Sequence, residues 1–353
     1  MEIVESPFSN EQLNSQNCQK LDRMLNATLP PNNAFKYDAI NQLKGNIDDI
    51  YFVERRIENT LSKINCINDG NKKLLLRFYD FCRADGLSKI RIERLLRIML
   101  DVWKMVGKNL DELDKDNMIR LLGDIEDKDW SFWTKYTYKV VIKKFYKWLG
   151  RGCLIDWIKL RHSRKRLLPE EILTEEEVKR MIDANDNIKY KTMIAIEYEG
   201  GFRPGEFFTL RIKSVTFDEH GAVLIVNGKM GMRRVRIVRN AGLLRKWVFM
   251  HPLRDNPESP LWISYDWKSI MSYNSFRKIL RKIMKKCNIN KRIYPYLFRH
   301  SRITHIQNSN MLSQAQICEY FGLVQGSRQL SVYTHLSGRD IDKAILRMNG
   351  INL

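Results

Sequence analysis

Hydrophobic and polar positions recur with helical spacing over most of this chain, and with strand spacing over one short stretch only. Between residues 47 and 150 the pattern predicts helices alone. A first helix carries Ile47, Ile50, Ile57 and Leu61. A second covers Lys72 to Ala84 and stops at Gly86. A third runs from about Ser88 to Val106, ahead of Gly107, and a fourth begins near Asp114, a side chain suited to an N-cap. The fifth, over 131–149, aligns Trp133, Thr137, Val140, Val141, Phe145 and Trp148 as an apolar stripe. Lys135, Lys139, Lys143 and Lys147, each four apart, line another face of it.

Past residue 170 the pattern changes twice. Thr174-Glu175-Glu176-Glu177 has the spacing of a capping box and predicts a helix to about Ala184, followed by another over 190–200. Val215 to Asp218, Ala222 to Val226 and Arg233 to Val238 are short β-rich runs, punctuated by Gly221, Gly228 and Gly231. They predict a small antiparallel sheet. Helices return from 241. Over 276–287, Phe276, Ile279, Leu280, Ile283, Met284 and Cys287 form an apolar face. Arg277, Lys278, Arg281, Lys282, Lys285 and Lys286 take the rest, with no acidic residue among them. Near the end, Ile341, Ala344, Ile345 and Met348 mark a short amphipathic helix that packs on its own domain or docks on a neighbouring subunit. The fold class is therefore mainly α with a small antiparallel β-sheet (α+β). Four parts are expected: an Asn/Gln-rich arm over 1–45, a helical domain over 46–160, a linker over 161–169 and a second domain over 170–353.

Charge narrows the function. Lys and Arg number 61 against 41 Asp and Glu, a formal net charge of +20. Such a field captures polyanions, and nucleic acid is the first candidate. The linker carries Arg161, Arg164, Lys165 and Arg166, able to lie along a phosphate backbone. No run of 18 apolar residues predicts a membrane helix, and the acidic Met1-Glu2-Ile3-Val4-Glu5 start does not look like a signal peptide. The 6 cysteines show no C-x-x-C spacing and the 6 histidines no ligand spacing, so neither a disulfide framework nor a metal site is expected. A cytoplasmic, DNA-associated protein fits these features.

Three segments far apart in sequence carry candidate chemistry: Gly200-Gly201-Phe202-Arg203-Pro204-Gly205-Glu206, Tyr294-Pro295-Tyr296-Leu297-Phe298-Arg299-His300-Ser301, and Ser331-Val332-Tyr333-Thr334-His335. Together, and in this order, they resemble the tyrosine recombinases, the family of phage integrases and Xer-type resolvases. Gly201 to Leu210 matches the first box, G-x-R-x-x-E-x-x-x-L. Tyr296 to His300 matches the second, H-x-L-R-H, in its arginine and final histidine. Tyr333-Thr334-His335 matches the nucleophile box, and Gly228-Lys229, between two predicted strands, matches the hairpin lysine. The resemblance covers about 170–350 by motif and 50–160 by architecture alone, as a DNA-clamping helical (SAM-like) domain.

The resemblance implies a metal- and ATP-independent transesterase without cofactors, acting on duplex attachment sites as a homo-tetramer assembled on DNA. It would integrate or excise a mobile element. Tyr333 would attack phosphorus and form a 3′-phosphotyrosine. Arg203 and Arg299 would stabilise the non-bridging oxygens, because a guanidinium is a planar, permanently charged fork. Lys229 would protonate the departing 5′-oxygen, and Glu206 would orient Arg203. Taken singly, each residue has a plainer reading: a surface ion pair, a turn lysine, part of a basic patch, a core aromatic.

Two positions depart from the pattern. Tyr296 stands where the second box has histidine; it keeps a hydroxyl donor but lacks an imidazole. This Y-x-x-R form, with Gly326-Ser327 before Tyr333 and His335 to Asp340 after it, resembles integrases of archaeal plasmids and viruses. Leu323 follows Gly322 where the family has histidine or tryptophan. Losing one charge-assisted contact costs roughly 1.5–3 kcal/mol, about 10- to 150-fold in rate, unless a nearby donor such as Gln325 compensates. A type IB topoisomerase- or resolvase-like activity, or a silent DNA-binding protein, are the rival readings. If each subunit meets about eight phosphates, a titration of duplex binding against salt gives log K falling with log[salt] at a slope of roughly −7.

Overall fold

Two separate apolar clusters organise the chain in the computed structural model, which describes residues 50–160, 169–228, 231–265, 269–324 and 348. The first is built from α1 (Val53–Asn65), α2 (Asp69–Ala84), α3 (Lys89–Val106), α4 (Lys115–Asp127) and α5 (Phe132–Trp148). Their ends follow the predicted signals. Gly107, at φ 66°, closes α3 by donating its N–H to the Trp103 carbonyl. The Asp114 carboxylate accepts from the Asn117 N–H at 2.7 Å and starts α4. At the centre, Phe145 meets Phe78 edge-on at 5.0 Å between ring centroids.

Two expectations change here. The first helix begins at Val53, because Phe52 sits at φ 51° and breaks the helical period. Ile50 therefore does not share a face with Ile57 and Leu61; it is buried in the second cluster. Ile47 lies outside the described residues. The buried face of α5 is also rotated: Tyr138, Val141, Ile142, Phe145 and Tyr146 turn inward, while Trp133 is 45% exposed. The reason is polar. The Tyr138 hydroxyl donates to Asp101 at 2.8 Å and the Tyr146 hydroxyl to the Leu110 carbonyl at 2.7 Å. With their hydroxyls satisfied, tyrosines that an apolar count passes over become core residues.

The second cluster is formed by α6 (Glu175–Asp183), α7 (Ile188–Gly200), α8 (Pro204–Phe208), a sheet, α9 (Ala241–Phe249), α10 (Tyr273–Lys286), α11 (Pro295–Ser309) and α12 (Gln314–Phe321). The capping box of α6 closes as spaced, with the Glu177 N–H on the Thr174 hydroxyl at 3.1 Å and the Thr174 N–H on the Glu177 carboxylate at 2.8 Å. The α7 helix is buried nearly all round and packs on α6, α9 and α11. It is the centre of this half. The sheet is antiparallel, β1 (Val215–Asp218), β2 (Gly221–Gly228) and β3 (Gly231–Ile237), in the order β1-β2-β3. Pairing of β2 with β3 ends at Gly228 opposite Gly231. The predicted fold class is observed. No helix among the described residues is long and apolar enough to cross a membrane.

His251 gives this half a pH dependence. It is buried, its Nδ1 accepts from the Leu253 N–H at 3.1 Å, and burial pushes its pKa down to about 4. The unfolded chain, with an ordinary value near ~6.5, binds the extra proton first. Its contribution is present above that value and is lost as pH falls toward 4, by on the order of 3 kcal/mol. Urea unfolding across that range shows a shallower loss of stability in His251→Asn, whose Oδ1 replaces Nδ1 as the acceptor.

Candidate active site

Gly201, at φ 54°, ends α7 in a left-handed turn, and Pro204 starts α8 two residues after Phe202. Arg203 is held in that turn. Its N–H donates to Glu206 Oε2 at 2.9 Å and its Nη1 to Glu206 Oε1 at 2.8 Å. The second Glu206 oxygen takes a guanidinium from the sheet, Arg233 Nη2 on β3, at 2.7 Å. Arg299, on the first turns of α11, brings its Nη1 to 4.0 Å from the same oxygen. One carboxylate that is 3% exposed thus gathers three guanidiniums from three elements. Burial alone raises the pKa of Glu206, but Arg233 and the donors from Arg203 outweigh it and hold the group below the ordinary value.

The end of α12 completes the cluster. Three successive carbonyls accept one arginine each: Tyr320 from Arg233, Phe321 from Arg299 at 2.6 Å, and Gly322 from Arg203. A helix C-terminus presents unpaired carbonyls and partial negative charge, so cations dock there naturally. Arg299 is fully buried, also donates to the Gly201 carbonyl at 2.9 Å, and lies 5.6 Å from the Phe321 ring centre. Two glycines make the approach possible. Gly322, at φ 58°, lies where a Cβ would come within 3.2 Å of both Arg203 and Arg233. At Gly228 a Cβ would stand 2.3 Å from Glu206 Oε1, so the end of β2 rests directly on the carboxylate.

Arg203, Glu206, Arg233, Gly322 and Leu323 line a cleft of about 770 Å³. Leu323 is buried among the apolar residues, and its N–H donates to the Cys318 carbonyl at 2.7 Å. Tyr296, half-buried on the first turn of α11, stacks edge-on with His300 at 4.8 Å and is not among the residues lining the cleft. Burial, and then Arg299, pushes His300 down to about 4, so its ring is neutral at physiological pH. Lys229 and Tyr333 lie outside the described residues. Among the described residues no group of three His, Cys, Asp or Glu side chains is placed to hold a metal ion.

The basic residues divide. Lys135 donates to the Glu126 carbonyl, Lys139 pairs with the Glu126 carboxylate, and Lys143 donates to the carbonyls of Ile155 and Ile158 at 3.1 and 3.0 Å. Lys147 is exposed. On α10, Lys278, Arg281 and Lys282 are exposed; Arg277 and Arg281 line a basic cleft of about 600 Å³ with Lys285, Lys291 and Arg292. Arg161, Arg164, Lys165 and Arg166 lie outside the described residues. Sequence reasoning missed Arg233, and β3 carried the signal: strand alternation puts Arg233 on the side of buried Val235 and Ile237. It also missed Glu197, a fully buried carboxyl on α7. Burial, then the charge of Glu206, raises its pKa well above the ordinary value, which favours the protonated form.

Residues 171–339 match the model of the phage integrase family. The tyrosine recombinase XerA of Pyrococcus horikoshii is 25% identical over 282 residues, 78% of this chain and 93% of that protein. Transposase A of transposon Tn554 from Staphylococcus aureus is 25% identical over 297 residues, 78% of each. Among solved structures, the XerH site-specific recombinase bound to its difH substrate superposes with a TM-score of 0.61 at 16% identity, over 88% of this chain and 92% of that one. A lambda integrase dimer bound to a COC′ core site gives 0.61 at 12% identity, over 76% and 77%. At such identities the two structures speak for the fold, while the family match over 171–339 and the recombinase relatives say which enzymes this chain is similar to: the tyrosine recombinases of the phage integrase family, enzymes of DNA strand exchange.

Proposed function

We propose that this enzyme is a site-specific integrase that cuts and rejoins duplex attachment sites through a 3′-phosphotyrosine at Tyr333. The observation that carries the assignment of the site is the arginine cluster on Glu206. Hydrolysis or transfer at a phosphodiester without a metal needs fixed positive charge beside the non-bridging oxygens. Arg203 and Arg299 supply it, gathered beside one carboxylate. The Tyr333 hydroxyl loses its proton to solvent and attacks phosphorus, the bond to the 5′-oxygen breaks, and Lys229 gives that oxygen its proton. The phosphotyrosine conserves the phosphodiester, so a 5′-hydroxyl reverses the step without ATP. Gly228 resting on Glu206 supports Lys229 in this role, since the lysine is the next residue. Tyr296 serves as a hydroxyl donor in the second box.

In the same reading the helices of 46–160 and the domain of 170–353 clamp duplex DNA, joined by the basic segment 161–169, with residues 1–45 as an accessory arm. Arg277, Lys278, Arg281 and Lys282 face phosphates. On the helical side Lys147 is the exposed member of its row, and Lys135, Lys139 and Lys143 contribute by exchanging their present partners for phosphate. A homo-tetramer assembled on DNA is the working form. The Y-x-x-R box and the words around Tyr333 favour a mobile element of the archaeal plasmid and virus type.

A nicked suicide duplex carrying the element's attachment site tests this. Wild type forms a covalent protein–DNA adduct and Tyr333→Phe forms none; tight binding without adduct by wild type would leave a silent DNA-binding protein. Glu206→Gln removes the charge that holds three arginines together, and adduct formation slows by about 10- to 100-fold, roughly 1.4–3 kcal/mol. Gly228→Ala, which pushes a methyl group into Glu206, slows it in the same assay with duplex affinity unchanged.

A further inference from the structure

Neither the boxes nor the hairpin lysine include Arg233, yet its setting differs from that of an ordinary strand arginine. Its side chain is 11% exposed. Nη1 donates to the Tyr320 carbonyl and Nη2 to Glu206, but the buried Nε has no hydrogen-bond partner. A buried donor left without an acceptor is costly, and folded proteins keep few of them. The Arg233 Nε lies beside Gly322: a Cβ on that glycine would be 3.4 Å from Nε and 3.2 Å from Cδ. The missing side chain leaves this edge of the guanidinium uncrowded, in the wall of the cleft that Arg203 and Arg233 both line. The next residue, Leu323, offers the cleft no polar side-chain atom.

Charge points the same way. A phosphodiester carries one negative charge, and the five-coordinate state reached by tyrosinate attack carries two. Arg203 and Arg299 with Glu206 amount to one net positive charge; adding Arg233 makes it two, and the carboxyl of Glu197, favoured in its protonated form, does not reduce it. We infer that Arg233 is a third phosphate-binding guanidinium, whose Nε–H donates to a non-bridging oxygen of the scissile phosphate and supplies the donor that Leu323 lacks. This rests on the reading of the cluster as a recombinase active site.

The test compares strand cleavage on two suicide duplexes, one with the natural scissile phosphate and one with an uncharged methylphosphonate at that position. Arg233→Ala is expected to cleave the phosphate about 10- to 150-fold more slowly than wild type. On the methylphosphonate, which has less charge to neutralise, the gap closes to a few-fold. Equal slowing on both duplexes makes Arg233 a positioning residue that acts through Glu206 and overturns the inference, as does an unimpaired Arg233→Ala. If the alanine variant does not fold, Arg233→Lys, which keeps one charge and loses the fork, is read the same way. Absence of a Tyr333-dependent adduct in wild type is a different failure, that of the recombinase reading itself.

Discussion

A single carboxylate, that of Glu206, allows three largely buried guanidiniums to stand side by side. Two like charges about 5 Å apart repel by roughly 3 kcal/mol at an effective dielectric of 20, and three such pairs would drive the arginines apart. Glu206 accepts from Arg203 on one oxygen and from Arg233 on the other, with Arg299 at the edge of its reach. Its own depressed pKa is the reciprocal of that arrangement. The cluster keeps a net positive charge, which is what an arriving phosphate requires. The α7–α8 turn, the hairpin, the start of α11 and the end of α12 all converge on this point.

Several helices of the second half and the small antiparallel sheet were legible in the sequence because local signals agreed: a capping box at Thr174, short β-rich runs over 215–238, and a two-sided α10. The first box was legible down to the Arg203–Glu206 ion pair, since both partners sit three apart in one turn. Arg233 was not, because its partner is 27 positions away and nothing in Met232-Arg233-Arg234 distinguishes the inward arginine from the outward one except strand phase. Glu197 was hidden for a similar reason. Acids in an otherwise apolar helix, here Glu197 and Glu199, read as a solvated face until the helix proves to have none.

The helical half shows how polar groups redirect an apolar pattern. On α5 a count of aliphatic positions selects Trp133 and Val140, whereas hydrogen bonds from two tyrosine hydroxyls select Tyr138 and Tyr146 for the core. The same helix carries the lysine row, and its lysines pair with Glu126 or with carbonyls at 155 and 158. Partners so placed hold these three lysines in one conformation at a cost in side-chain freedom. Lys147, exposed, keeps more of that freedom.

The three bonds at the end of α12 fall on adjacent carbonyls, and each comes from a different element. Adjacent carbonyls on a helix are separated by about 1.5 Å of rise and roughly 100° of rotation. Adding or deleting one residue between Ser313 and Gly322 would therefore misalign all three acceptors at once. This helix has its length and phase dictated from its far end, by side chains it does not own.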